Sequence, residues 1–533
     1  MTQESGVFIR KASGLVRQLA PQDSFYMNVI GVAAAVSIVT LLYAAPTTYP
    51  GANLYIALTI GLIIAIPFGW TYAMLATAYP RSGGDYVYIS RIIHPSAGLA
   101  SSGLYLLANL IGVGQFPMFT AWYVSSLLGI AGALYGNSTY AGWGAWVGTP
   151  VGTIAVAGAI IIWSAIINVR GVRFLAIVQR IYFVIAAIGT IALFGLMAFT
   201  SYSLFVTNFN VYAAGFGTSY QDLINKAASL GYVPAGFSWA ITILATVFLF
   251  GYLTTAWPIM VAGEVKRPAR SMILGCVVGI FASWLIYMLT TFFFYNSFGK
   301  SFTDAVSWLA TTQPSNYPLP VGPYLTYLIG FLSNNPLLLG IIGIGFVCWG
   351  ASLTPNHIMI CSRPMFAYAM DRVFPSKFAS VNERTHTPIF SIVVTTIAGL
   401  VTLVMTAYAG ALIALTVNVA VLCTIYFLFT LFTGLVFPFV KKEMFEGSPA
   451  IVKSKIGPVP TISIAGGFSG IAMVLALGMY LLHPELSGPV SPLSIGLIVA
   501  WAVFFALLYY IARWYWQRKG LDISMSYKEI PPG

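Results

Sequence analysis

The residues of this 533-residue chain that are placed to do chemistry are few, and most of what they offer is backbone. The stretch Thr246–Arg270 runs apolar to Phe250 and then meets a polar interval, Gly251-Tyr252-Leu253-Thr254-Thr255, with Pro258 close behind. It leaves the apolar phase at Glu264-Val265-Lys266-Arg267-Pro268. Gly and Pro weaken the i→i−4 ladder, and in hydrocarbon each freed backbone group costs several kcal/mol unless something fills it. A broken helix is tolerated at membrane depth where it lines a protein-buried or watery cavity, and there its N–H and C=O groups are open to a ligand. A proline-kinked packing helix is the plain alternative. One ionisable side chain lies well inside an apolar run: His357, in Thr354-Pro355-Asn356-His357. An imidazole there can take up a proton near neutral pH; the alternative is a neutral ring hydrogen-bonded to a helix neighbour.

The elements that must position these groups follow from composition. The chain is 59% hydrophobic and 7% charged, with a mean hydropathy of +0.86. A soluble domain carries about 25% charged residues, so the chain reads as an all-α polytopic membrane protein. A span needs about 20 apolar residues, which places twelve at 24–44, 53–78, 96–129, 151–168, 174–200, 237–263, 271–297, 337–362, 388–407, 410–438, 461–482 and 492–513. The first is expected to be retained rather than cleaved as a signal peptide. Cys276, Cys348, Cys361 and Cys423 all sit in apolar runs without paired metal spacing, which argues against a disulfide framework or a zinc site, and no cofactor is expected.

Of 25 Lys and Arg residues, all but Lys226 and Lys300 fall on one side of this topology or at its border. The positive-inside rule then puts both termini and the 363–387 segment in the cytoplasm, in a cell membrane. It also accounts for the net charge of +12 through anionic lipid and leaves no need for a nucleic-acid partner. Trp143 and Trp146 at one border and Trp514 and Trp516 at the other fit aromatic belts.

Five spans deliver the next five in inverted orientation, the plan of many secondary transporters, in which the first helix of each half is broken near the midplane. The sixth span carries the interval at Gly251–Thr255, and the first carries Gly31-Val32-Ala33-Ala34-Ala35. The chain thus divides into an N-terminal segment 1–22, a first five-helix repeat 23–200, an outer loop 201–236, a second, inverted repeat 237–440, a loop 441–460, two further spans within 461–516, and a tail 517–533.

Four segments then converge on one family. Tyr79-Pro80-Arg81-Ser82-Gly83-Gly84-Asp85-Tyr86-Val87-Tyr88 is close to P-[RN]-[AS]-GG-x-Y-x-Y after a second span. Asn168-Val169-Arg170-Gly171-Val172 matches N-x-[RK]-G-[VI] before a fifth. Phe250-Gly251-Tyr252 with Glu264-Val265-Lys266-Arg267-Pro268-Ala269-Arg270 is similar to F-[AS]-Y…E-E-V-K-N-P-x-R, with Gly263 in place of the first glutamate. Ser362-Arg363-Pro364-Met365-Phe366-Ala367-Tyr368-Ala369-Met370-Asp371 is similar to S-R-x-x-[YF]-A-M-A-R-D-G. Over residues 20–440 the chain resembles the amino acid–polyamine–organocation transporters, and among them the amino acid permeases.

The resemblance implies a leucine-transporter-like bundle working by alternating access, not an enzyme. It implies a substrate carboxylate on backbone N–H groups near Gly31, Val32, Ala33, Ala34 and Ala35. The ammonium would face carbonyls around Phe250, Gly251, Tyr252, Leu253 and Thr254, since half-helix ends offer the matching dipoles. Small residues at helix contacts are otherwise ordinary membrane packing. No Asp or Glu lies mid-span, which leans the substrate towards a neutral or apolar amino acid. On this plan Ser352, Thr354, Asn356 and His357 are candidates for a proton or sodium site, because the lysine that some members carry in the fifth span is here Ala186. Arg81, Asp85, Glu264, Lys266 and Arg270 are candidates for an inner gate of ion pairs, against the plain reading of solvated loop charges. An amino acid exchanger, a polyamine or other organocation carrier, and a nutrient sensor that binds without transporting remain the alternatives.

Overall fold

The computed structural model describes residues 14–32, 34–246, 254–416, 418–487 and 490–528. Among the described residues eleven helices are long and apolar enough to cross a membrane: Pro21–Thr48, Leu54–Ala78, Pro95–Gly132, Pro150–Val169, Val172–Phe199, Pro268–Phe298, Pro336–Met370, Ile389–Gly410, Val419–Val440, Thr461–Leu482 and Pro492–Gln517. They match eleven of the twelve expected spans. The remaining one, the sixth, is not a continuous α-helix among the described residues: Trp239–Ala245 is α-helical and Thr254–Glu264 is 3₁₀, with Val261 off helical geometry at φ −113°. A 3₁₀ run of 11 residues is unusually long, and its eclipsed side chains and poor hydrogen bonds mark a segment under tertiary control.

Helix starts follow a repeated local rule. His94-Pro95, Thr149-Pro150, Asn335-Pro336 and Ser491-Pro492 each pair a capping side chain with a proline in the first turn. The side chain accepts an orphan N–H and the proline needs none. The tenth span begins at Val419 rather than 410, because the Asn418 side chain caps it by accepting from Val421 N. The loop expected at 201–236 holds two helices, Tyr202–Ala214 and Tyr220–Ser229.

The fifth span shows how lipid and protein faces separate. Ile177, Ile181, Val184, Ile188 and Ile191 are exposed at helical spacing, while Gln179, Ala186, Gly189 and Leu193 are buried. The exposed stripe suits hydrocarbon. The third span continues to Tyr135 as a 41-residue helix, about 60 Å long, twice the hydrocarbon thickness, so it projects beyond the bilayer. The seventh carries a π-helical segment at Leu274–Val278, facing the first span where Gly275 meets Ser24 and Gly279 meets Asn28. Such π-bulges are frequent at functional sites.

Candidate binding site and gate

The first span is described as two helices, Pro21–Val32 and Ala34–Thr48. Of the expected carboxylate-binding residues, Gly31 and Val32 end the first helix; Ala34 and Ala35 open the second, which places their N–H groups in a first turn that has no intrahelical partners. Ala33 lies outside the described residues, as do Phe250, Gly251, Tyr252 and Leu253; Thr254 begins the 3₁₀ segment.

The residue that brings the two irregular spans together is Trp257, which carried no weight in the sequence. A Cβ on Gly31 would sit 2.6 Å from Trp257 Cε3, so glycine at 31 is what lets the indole lie against the end of the first helix. The indole meets His357 edge to face at 4.7 Å, and His357 stacks on Phe116 at 4.5 Å. The Val32 carbonyl accepts from Tyr287 Oη at 2.9 Å and Ser37 Oγ at 3.0 Å. That helix end is therefore filled by hydroxyls.

His357 contacts its own helix. Its Nδ1 lies 3.0 Å from the Leu353 carbonyl, one turn back, and the ring is buried between aromatic faces. Two of the other eighth-span candidates, Ser352 and Asn356, meet the fifth span. Gln179 Nε2 donates to the Ser352 carbonyl at 3.0 Å and to Asn356 Oδ1 at 3.1 Å. Thr354 Oγ1, Asn356 Nδ2 and Gln179 Oε1 are buried without hydrogen-bond partners. Nearby, Asn168 Nδ2 of the second motif bridges the Ser164 and Pro355 carbonyls, both at 2.9 Å. Gln179 was invisible as a site residue because one Gln in an apolar helix carries no spacing signal.

On the Lys/Arg-rich side, three of the four motifs meet at Glu264. Its Oε1 accepts from Arg363 Nε at 3.0 Å and from Ser82 Oγ at 3.1 Å, and its Oε2 accepts from Arg363 Nη2 at 3.1 Å. Both side chains are about 1% exposed. The Glu264 carbonyl accepts from Gln18 N and Leu19 N, and Lys266 N donates to the Leu19 carbonyl, so the N-terminal segment is strapped to the same point. The departure at Gly263 has a steric cause: a Cβ there would lie 2.7 Å from Ser82 N. Gly83 and Gly84 have φ of +116° and +62° and pack against Ala367 and Met260, positions a side chain would overfill.

The ion pairs differ from those expected. Glu264 pairs with Arg363; Lys266 and Arg270 are exposed. Asp85 accepts from Thr430 Oγ1 at 3.0 Å, while Arg81 Nη1 donates to the Pro80 carbonyl. Two more pairs were not anticipated, the first buried and the second with its arginine partly exposed. Arg91 meets Asp371 at 2.7 and 2.8 Å, with Tyr86 Oη donating to the same carboxylate at 2.7 Å. Arg180 meets Asp23 at 2.6 and 2.9 Å. Together they tie the first span to the fifth, the helix Asp85–Ile92 to the end of the eighth, and the sixth to the eighth.

A family model described as amino acid permease matches residues 25–511. Solute carrier family 7 member 12 of Mus musculus is 23% identical over 352 residues, 64% of this chain and 63% of the relative. Cationic amino acid transporter 3, mitochondrial, of Arabidopsis thaliana is 26% identical over 190 residues, 36% of this chain and 28% of the relative. The matches thus span less than two thirds of either relative's own length.

Proposed function

Because this chain belongs to the amino acid permease family, we propose that it is a secondary active amino acid transporter of the cell membrane, working by alternating access on neutral or apolar amino acids. The observation that carries this reading is the meeting of the two irregular spans at Gly31 and Trp257. Helix ends brought together at membrane depth offer unpaired N–H groups to a carboxylate in a dry site. The indole and the rings of Phe116 and His357 give that place an apolar, aromatic wall.

The reading takes the five-plus-five inverted repeat as the architecture, with the basic face and both termini cytoplasmic. The buried pairs Glu264–Arg363 and Arg91–Asp371, with the half-exposed pair Arg180–Asp23, then form the inner gate. Ser352, Thr354 and Asn356, with Gln179, offer oxygens for a cation, and the proton is the preferred coupling ion. His357 acts here as a positioning residue that holds Trp257.

A second reading, a cationic substrate, is favoured by the name of the Arabidopsis relative. Against it, Asp23, Glu264 and Asp371 are all neutralised by arginines of the chain itself. The test is counterflow of radiolabelled amino acids in proteoliposomes, run with alanine, leucine, phenylalanine, lysine and a polyamine, with and without a pH gradient. The reading expects exchange of neutral amino acids. Exchange of lysine alone would transfer support to the second reading, and tight binding without exchange would identify a sensor.

A further inference from the structure

The described buried carboxylates fall into two kinds. Asp23, Glu264 and Asp371 each face an arginine. Asp85 does not: it is fully buried, among the described residues no ion pair joins it to a basic side chain, and its Oδ1 has no hydrogen-bond partner. The arginines nearest in the sequence are engaged elsewhere, Arg91 with Asp371 and Arg81 with the Pro80 carbonyl.

The groups around Asp85 are neutral. Thr430 of the tenth span donates to Oδ2 at 3.0 Å. The phenols of Tyr72 in the second span, Tyr105 in the third, Tyr368 in the eighth, Tyr426 in the tenth and Tyr88 on its own helix feel its charge. The hydroxyls of Tyr72, Tyr88 and Tyr426 are buried without partners. Cys276 lies beside Tyr88 and Cys423 beside Tyr105. Charged groups on the packed elements are Arg91 on its own helix and Arg363 on the eighth span, each held by its own carboxylate. The Tyr426 and Thr430 hydroxyls and the backbone N–H groups of Asp85 and Tyr86, at the helix start, favour an anion, but none of them carries a charge. Burying an unpaired carboxylate is costly, and such a group keeps its proton instead.

Position ties this group to the gate. Asp85 opens the helix Asp85–Ile92 directly after Gly83-Gly84, the loop pressed on Met260 and Ala367, and the same helix carries Tyr86 and Arg91 to Asp371. Any motion that parts these pairs moves Asp85 against the second and tenth spans.

We propose that Asp85 is a proton-binding site of the transport cycle, holding a proton on its carboxyl while the gate is closed and losing it when the gate opens. The step is a plain proton transfer: the Asp85 O–H bond breaks, the proton passes to entering water, and a solvated carboxylate remains. Resting on the proton-coupled reading above, this names the group that carries the coupling. Burial, opposed by the hydrogen bonds of Tyr426, Thr430 and the helix start, pushes the Asp85 carboxyl up to about 7, in the working range of a cell.

The experiment is infrared difference spectroscopy of the full chain in lipid nanodiscs between acid and alkaline buffers, beside proteoliposome transport. The expected result is a protonated-carboxyl band in the parent that titrates near pH 7 and vanishes in Asp85→Asn. In the same variant, accumulation driven by a pH gradient falls at least tenfold while counterflow persists. Thr430→Val, which removes the 3.0 Å side-chain hydrogen bond to the carboxylate, raises the midpoint. It serves as the test should Asp85→Asn not fold. A band indifferent to both substitutions, or pH-driven accumulation retained in Asp85→Asn, overturns the proposal. Absence of counterflow in the parent instead sinks the transport reading, whatever the band does.

Discussion

Arg363 grips Glu264 through Nε and Nη2, at 3.0 and 3.1 Å, and both side chains are sealed from solvent. The arginine comes from the eighth span and the glutamate from the end of the sixth, with Ser82 of the loop after the second span completing the site. A bidentate pair at this depth is orientation-specific, and its cost in lost hydration is repaid only by its geometry.

Removing one member leaves a buried charge alone. Arg363→Gln is expected to lower stability by about 3–5 kcal/mol, and Glu264→Gln by a similar amount. The double variant leaves no unpaired charge and should recover part of the loss. A double-mutant cycle on detergent-solubilised protein, read by thermal unfolding, checks this; additive losses would mean that the pair is not coupled.

Gly31→Ala tests the wall of the proposed site. The new methyl would stand 2.6 Å from Trp257 Cε3, well inside the roughly 3.5 Å of carbon contact. Overpacking of this kind costs about 1–3 kcal/mol. Substrate affinity should fall at least tenfold, and Trp257→Phe on the same background should restore part of it. Unchanged affinity with an intact fold would place the substrate elsewhere.

His357 and Asp85 separate by their readouts. His357→Gln loosens the ring that steadies Trp257, so KM should rise while accumulation still follows the pH gradient. Asp85→Asn should do the reverse. Loss of the pH dependence in His357→Gln, with Asp85→Asn unaffected, would assign the proton to the imidazole.

Stability against pH carries a sign that can be checked. The Asp85 carboxyl titrates near 3.8 when unfolded and is raised to about 7 in the fold, so between these values the folded state binds more protons. Stability therefore declines as pH rises through that window, and the loss is complete above about 7; its ceiling is roughly 4 kcal/mol, at about 1.4 kcal/mol per unit. The melting temperature of the parent should drop from pH 5 to pH 8 more steeply than that of Asp85→Asn. Parallel profiles would show that Asp85 contributes nothing.

The helices were legible because hydropathy reports burial in lipid directly. Eleven spans stand where the apolar runs put them, while Asn418 shows how one cap moves a boundary that hydropathy blurs. The motifs were legible as strings but not as a structure. Glu264, Ser82 and Arg363 belong to three of them, and only the fold shows that they form one cluster. Spacing suggested near neighbours as ion partners; the chain instead pairs residues about a hundred or more positions apart, which no local pattern encodes. Trp257 and Gln179 were overlooked for a related reason, since a lone Trp or Gln in an apolar run looks like packing until its neighbours are known.

Movement of neutral amino acids across a membrane is tested most simply by counterflow of radiolabelled leucine into proteoliposomes preloaded with unlabelled leucine, which needs no assumption about coupling. A transient accumulation of label that disappears in Gly31→Ala is expected. Label that never rises above simple equilibration, in protein that still binds leucine, would contradict it.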